Sequence, residues 1–210
     1  RSLKNRKMII AGLGLIILAA VSYSIWYFLH KPAQRFSVDK VNLTRFLSAD
    51  NILNGALSND GNLFVYRTVE NGVSYLRAKQ TANGGATQIY EIANASIWFF
   101  TISPDGQFVY FTLYSQTNSV KTGLYRVATF GGAAQLIAEK EISGLKFSPD
   151  GKRLAFIHTF IESGFEIQEL LTIEPENGGE EKKISVLPRY HLFRGFSWSP
   201  DGNSITYAAK

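Results

Sequence analysis

From residue 41 onward the chain is built of short apolar runs separated by polar, turn-forming clusters. Runs such as Phe64-Val65-Tyr66 and Phe108-Val109-Tyr110-Phe111 are bounded by Gly, Pro, Asn, Asp and Ser. That grouping predicts strands. The runs are continuous rather than alternating, as expected where both faces of a strand are covered. Residues 41–47, with Val41, Leu43 and Leu47 on one face, predict a single strand ahead of the first repeat.

The turns repeat. Ser58-Asn59-Asp60-Gly61, Ser103-Pro104-Asp105-Gly106, Ser148-Pro149-Asp150-Gly151 and Ser199-Pro200-Asp201-Gly202 have Asp-Gly pairs spaced 45, 45 and 51 residues apart. Three residues before each aspartate the position is apolar (Leu57, Ile102, Phe147, Trp198), and six after it is aromatic (Tyr66, Phe111, Phe156, Tyr207). Serine opens the turn, proline fixes φ, and glycine accepts a positive φ at the fourth position, which suits a tight turn between antiparallel strands. A second mark, Gly84-Gly85, Gly131-Gly132 and Gly178-Gly179, recurs at intervals of 47 and 47 and reads as a second hairpin. Each unit then holds four strands, a to d. A period of about 40 to 50 residues with several strands per unit is that of β-propeller blades. Three blades are complete, and residues 195–209 supply the first two strands of a fourth. The expected fold class is all-β, a partial propeller with an exposed edge, and residues 41–47 are the strand expected to complete its last blade.

The N-terminal pattern is different. No charged residue occurs from Met8 to Leu29, and Tyr23, Trp26 and Tyr27 lie near the end of that stretch. About 20 apolar residues cross a bilayer core, and aromatic rings favour its interface. One membrane span over 8–29 is therefore expected, with a basic flank at 1–7, a stalk at 30–40 and the repeats over 41–210. A cleaved signal peptide fits less well, because the apolar run continues beyond Ala20-Val21-Ser22. Arg1, Lys4, Arg6 and Lys7 precede the span, which places the N-terminus in the cytoplasm and the repeats outside it. After Phe28 eighteen Lys and Arg face seventeen Asp and Glu, so the basic character belongs to the flank and no nucleic-acid partner is expected. There is no cysteine, which excludes disulfides and thiolate metal sites. The chain opens on Arg1 and stops within a fourth repeat, so both ends read as cuts in a longer protein.

The Ser-Pro-Asp-Gly turn followed by an apolar-aromatic strand, as in Phe147-Ser148-Pro149-Asp150-Gly151-Lys152-Arg153-Leu154-Ala155-Phe156, resembles the TolB-like β-propeller with its WD40-like Pro-Asp repeat. The likeness runs from Val41 to Lys210. A basic flank, one span, a stalk and such repeats look like the C-terminal half of bacterial inner-membrane proteins. In those proteins the cytoplasmic part is a serine/threonine protein kinase or a winged-helix regulator. The resemblance thus implies an extracytoplasmic binding or sensor domain. Propellers of this type also cap prolyl-oligopeptidase-like serine peptidases, and a structural assembly platform is the third alternative.

Catalytic chemistry finds little support in the residues. His30, His158 and His191 form no metal-spaced pair. Gly195-Phe196-Ser197-Trp198-Ser199 lacks the second glycine of a nucleophile elbow. No phosphate-binding lysine follows the glycine pairs, and one aspartate per blade is too sparse for repeat-bound calcium. No catalytic residue, cofactor or metal is expected. A ligand surface is sought instead on the b–c and d–a connections, whose lengths vary between repeats. These are residues 70–74, 115–122, 160–165 and 188–194. Arg189-Tyr190-His191-Leu192-Phe193-Arg194 is the richest in contact-favoured residues, and Arg189, Tyr190, His191, Phe193 and Arg194 are the candidate protein- or peptide-binding positions.

Overall fold

The computed structural model describes residues 18–24, 26, 52–82, 85–115, 117, 120–176, 180–187 and 193–210. The chain divides into two units, Arg1–Arg45 and Phe46–Lys210. In the first, 18–24 and 26 are helical. Among the described residues no helix is long and apolar enough to cross a membrane. Most of the span expected over 8–29, the stalk and the strand expected at 41–47 lie outside the described residues.

The second unit is antiparallel β-sheet. Strands β1 (Ile52–Leu57), β2 (Leu63–Glu70), β3 (Val73–Gln80) and β4 (Thr87–Ala93) form the first sheet in sequence order. The second holds β5 (Ala95–Ile102), β6 (Phe108–Ser115), β7 (Gly123–Ala128) and β8 (Gln135–Ala138), and the third β9 (Ile142–Phe147), β10 (Leu154–Glu162), β11 (Phe165–Ile173) and β12 (Lys182–Val186). A two-stranded sheet of β13 (Phe193–Trp198) and β14 (Ile205–Ala209) follows. This is the four-strand blade read from the repeat. First strands of successive sheets are neighbours, β1 with β5, β5 with β9 and β9 with β13, so they line the common axis.

Each hydrophobic core lies between blades rather than within one. Val65 and Leu76 of the first blade pack with Ile97, Val109 and Phe111 of the second. Tyr110 and Leu124 of the second meet Leu145, Leu154 and Phe156 of the third. Ala155, Ile157 and Leu170 of the third meet Phe193 and Phe196 of the fourth. Neighbouring residues of one strand thus serve two cores: Phe156 faces back and Ile157 forward. That is why the strand after each Asp-Gly turn is apolar without alternation. Phe111 and Phe156 have no exposed surface, and burying a side chain of that size contributes about 1.5–3 kcal/mol.

Candidate functional site

The four repeated turns are one hydrogen-bonded device. In each, the glycine N–H donates to the serine carbonyl, as from Gly61 to Ser58 at 2.9 Å and from Gly106 to Ser103 at 2.8 Å. The glycines have φ of 72, 72, 73 and 70°. Each serine hydroxyl donates to the aspartate Oδ1 at 2.5 Å, from Ser58 to Asp60, Ser103 to Asp105, Ser148 to Asp150 and Ser199 to Asp201. The same hydroxyl oxygen accepts the N–H of the residue that opens or immediately precedes the second strand: Leu63, Phe108, Arg153 and Ser204. Oδ1 also accepts the N–H two residues on, from Asn62, Gln107, Lys152 and Asn203. Hydrogen bonds to the charged form hold all four carboxyls below the usual aspartate range, the serine hydroxyl being the largest cause in each. The repeated aspartate is thus committed to its own turn. Among the described residues no three His, Cys, Asp or Glu side chains gather as a metal site would need.

Successive turns also touch. A Cβ added at Gly151 would lie 2.8 Å from Pro104 Cγ, and one at Gly202 would lie 3.5 Å from Pro149 Cδ. At Gly106 nothing stands within 4 Å, and the preceding turn has Asn59 in place of proline. The proline of one turn therefore seats the glycine of the next. A cleft of about 350 Å³ opens at this end of the axis, bounded by Leu57, Asn59, Pro104, Pro149 and Trp198 from all four blades.

The opposite face is irregular. The b–c connections of the first and third blades are two-residue turns, Asn71-Gly72 (φ 51 and 79°) and Ser163-Gly164 (φ 51 and 81°), with the positive φ pair that closes hairpins tightly. In the second blade the corresponding connection runs from 116 to 122. The innermost strands share another feature, a β-bulge six to seven residues before each aspartate. Register shifts fall at Leu53-Asn54, Trp98-Phe99, Ser143-Gly144 and Arg194-Gly195. Bulges re-aim side chains. At the second blade Trp98 and Phe99 together oppose Thr112, whose Oγ1 accepts the Phe99 N–H at 3.1 Å. Trp98 is 56% exposed, and its carbonyl accepts Asn54 Nδ2 at 3.0 Å across the blade boundary.

Three clefts meet at Tyr114, and two of them reach this bulge. One of about 330 Å³ lies between the second and third blades, lined by Trp98, Phe99, Leu113, Tyr114, Glu141 and Ile142. A second, about 540 Å³, continues over Ser115, Lys121, Glu139 and Lys140. The third, about 360 Å³, lies on the other side of Trp98 and Tyr114, against Gly72, Asn94 and Ser96. Lys121 pairs with Glu139, and Lys140 with Glu181.

Of the positions expected to bind, Arg189, Tyr190 and His191 lie outside the described residues. Arg194 is exposed at the fourth bulge. Phe193 is buried in the third core, edge-on to Tyr207, and its N–H donates to Gln168 Oε1 at 2.8 Å. Of the expected residues 115–122, Ser115, Thr117, Val120, Lys121 and Thr122 border the clefts, whereas Trp98, Phe99 and Tyr114 went unmarked. The signal for them was present: Ile97-Trp98-Phe99-Phe100 breaks alternation at the offset where Gly144 and Gly195 interrupt later strands. His158 lies within β10, stacked on Phe160, with Nδ1 3.8 Å from Glu169 Oε2. Burial, with Lys140 nearby, pushes its pKa down.

No family pattern and no curated protein matches the sequence. Solved structures do. The chain is similar to TolB from Acinetobacter baumannii, with a TM-score of 0.59 and 21% identity over 77% of this chain and 39% of that one. An oligogalacturonate lyase from Vibrio parahaemolyticus gives 0.60 and 15% over 75% and 47%. The fold is that of a β-propeller. The tricorn protease matches as well, at 0.58 and 12% over 74% and 15%. The chain spans less than half the length of each of these three, and at such identities the likeness shows the fold alone.

Proposed function

We propose that this propeller is the extracytoplasmic binding domain of a single-span membrane protein. It engages a protein or peptide on its irregular face and conveys occupancy to a cytoplasmic signalling module, a kinase or a DNA-binding regulator. The observation that carries the reading is the meeting of three clefts at Tyr114, two of them also walled by Trp98, since exposed aromatic side chains beside formed clefts are the usual anchors of protein contacts. Phe130, 86% exposed and next to the Gly131-Gly132 turn, provides a control on the opposite face. A photo-crosslinking residue at Tyr114 is expected to yield a discrete adduct in cells, and the same residue at Phe130 none. The chain is expected to stay with membranes through carbonate washing, and external protease should reach the repeats. Adducts from Phe130 but not Tyr114, or release by carbonate, would overturn the reading.

A further inference from the structure

We infer that the cleft between the second and third blades receives a basic side chain, lysyl or arginyl, of a peptide partner. The inference rests on the binding reading above and specifies its chemistry. Trp98, Phe99 and Tyr114 form exposed aromatic walls, while Leu113 and Ile142 are buried at the base. Both threonine hydroxyls that line the cleft are occupied by the fold itself. Thr112 Oγ1 accepts the Phe99 N–H, and Thr122 Oγ1 accepts the Ser115 N–H at 3.1 Å.

Glu141 is the one charged side chain among the described residues that line the cleft. Its backbone carbonyl accepts the Thr159 N–H at 3.0 Å, which fixes its place in the wall. Its carboxylate is exposed and makes no hydrogen bond or ion pair with any described residue. The cations of the adjoining cleft do not compensate it, because Lys121 and Lys140 are held by Glu139 and Glu181. The cleft therefore offers one uncompensated negative charge beside an open indole. The face of an indole attracts cations as a carboxylate does. An anionic group entering would be repelled, and an apolar one would strip water from Glu141 without replacing it. A lysyl or arginyl side chain lays its methylenes on Leu113 and Ile142 and brings its charged head between Trp98 and Glu141.

The test uses the full chain in neutral detergent, with the indole N–H resonance of Trp98, assigned through Trp98→Phe, as the readout. The probes are Nα-acetyl-lysinamide and Nα-acetyl-argininamide against Nα-acetyl-leucinamide and Nα-acetyl-glutamate amide. The basic probes are expected to shift the resonance at concentrations about tenfold lower than the others, and Glu141→Gln to erase that preference. Equal response to all four probes, or a preference that survives Glu141→Gln, would overturn the inference. Should Tyr114 crosslink a partner while the basic probes show no preference, the cleft chemistry falls and the binding reading stands. A basic preference without any adduct from Tyr114 upholds the charge selectivity of the cleft and overturns both the binding reading and the assignment of that selectivity to a peptide partner.

Discussion

On the turn face Ser58, Ser103, Ser148 and Ser199 each donate to an aspartate two residues on, and the prolines of two turns seat the glycines of the next. On the other face the second strand is followed by Asn71-Gly72, then by residues 116–122, then by Ser163-Gly164. Both faces close the same sheets, so the sheets do not require uniform connections. What differs is how each connection is held. A turn whose hydroxyl, carboxylate and glycine bond to one another, and whose ring abuts the neighbouring blade, has few acceptable sequences. A connection bounded only by strand ends has many, and residues with another task can settle there.

The largest expected effect separates turns that interlock from one that does not. Gly151→Ala adds a Cβ at φ 73°, 2.8 Å from Pro104 Cγ, whereas Gly106→Ala adds one at φ 72° with nothing within 4 Å. A left-handed conformation costs an L-residue about 1–2 kcal/mol. Gly106→Ala should lose about that much in denaturant unfolding. Gly151→Ala should lose about 1–3 kcal/mol more, because the proline ring is rigid and overpacking carries its own penalty. Equal losses would mean that the turns do not brace one another.

Acid should weaken the turn face through its aspartates. Their folded pKa values lie below the unfolded one, so the stability they supply is complete above the unfolded value, about 3.9, and is lost as pH falls through the folded values. Glu70, held below its usual range chiefly by Arg77, adds to the same acid limb from the irregular side. Asp150→Asn should therefore be less stable than the parent at pH 7, with the two unfolding midpoints converging as pH drops below about 4. A gap that persists unchanged at pH 2 would place the loss in the turn's shape and not in its charge.

The blades were legible in the sequence because each rests on a period that repeats: Phe111 and Phe156 stand at the same offset and are both fully buried. The ligand face was harder to read, for a physical reason. The spacing from aspartate to the glycine pair grows by the same two residues from the first repeat to the second and from the second to the third, 24, 26 and 28, and both steps read as loop variation. In the third blade, whose spacing exceeds the first by four residues, two of the four are strand, since β10 and β11 have nine residues each against eight in β2 and β3. In the second the increase is connection, with β7 shortened to six. Spacing alone does not distinguish these. Nor did it mark the bulges, where Leu53, Trp98, Ser143 and Arg194 share a position and no chemistry. Phe193 and Arg194, adjacent in the expected binding run, separate into core and surface at such a bulge.

The smallest expected effect on stability carries the most functional weight. Trp98 is 56% exposed and Tyr114 40%, so little apolar surface leaves the core when either is cut back. Surface changes away from buried features usually stay within about 0.5 kcal/mol. Trp98→Ala and Tyr114→Ala should keep the parent's unfolding midpoint to that margin, while each weakens capture of the partner by about tenfold or more, as interface anchors do. Gly106→Ala should do the reverse, losing stability on the turn face with capture intact. If Trp98→Ala instead unfolds the protein as Gly151→Ala does, the Trp98 ring is a brace like the turns, since the variant keeps the carbonyl that accepts from Asn54, and the irregular face is structural too.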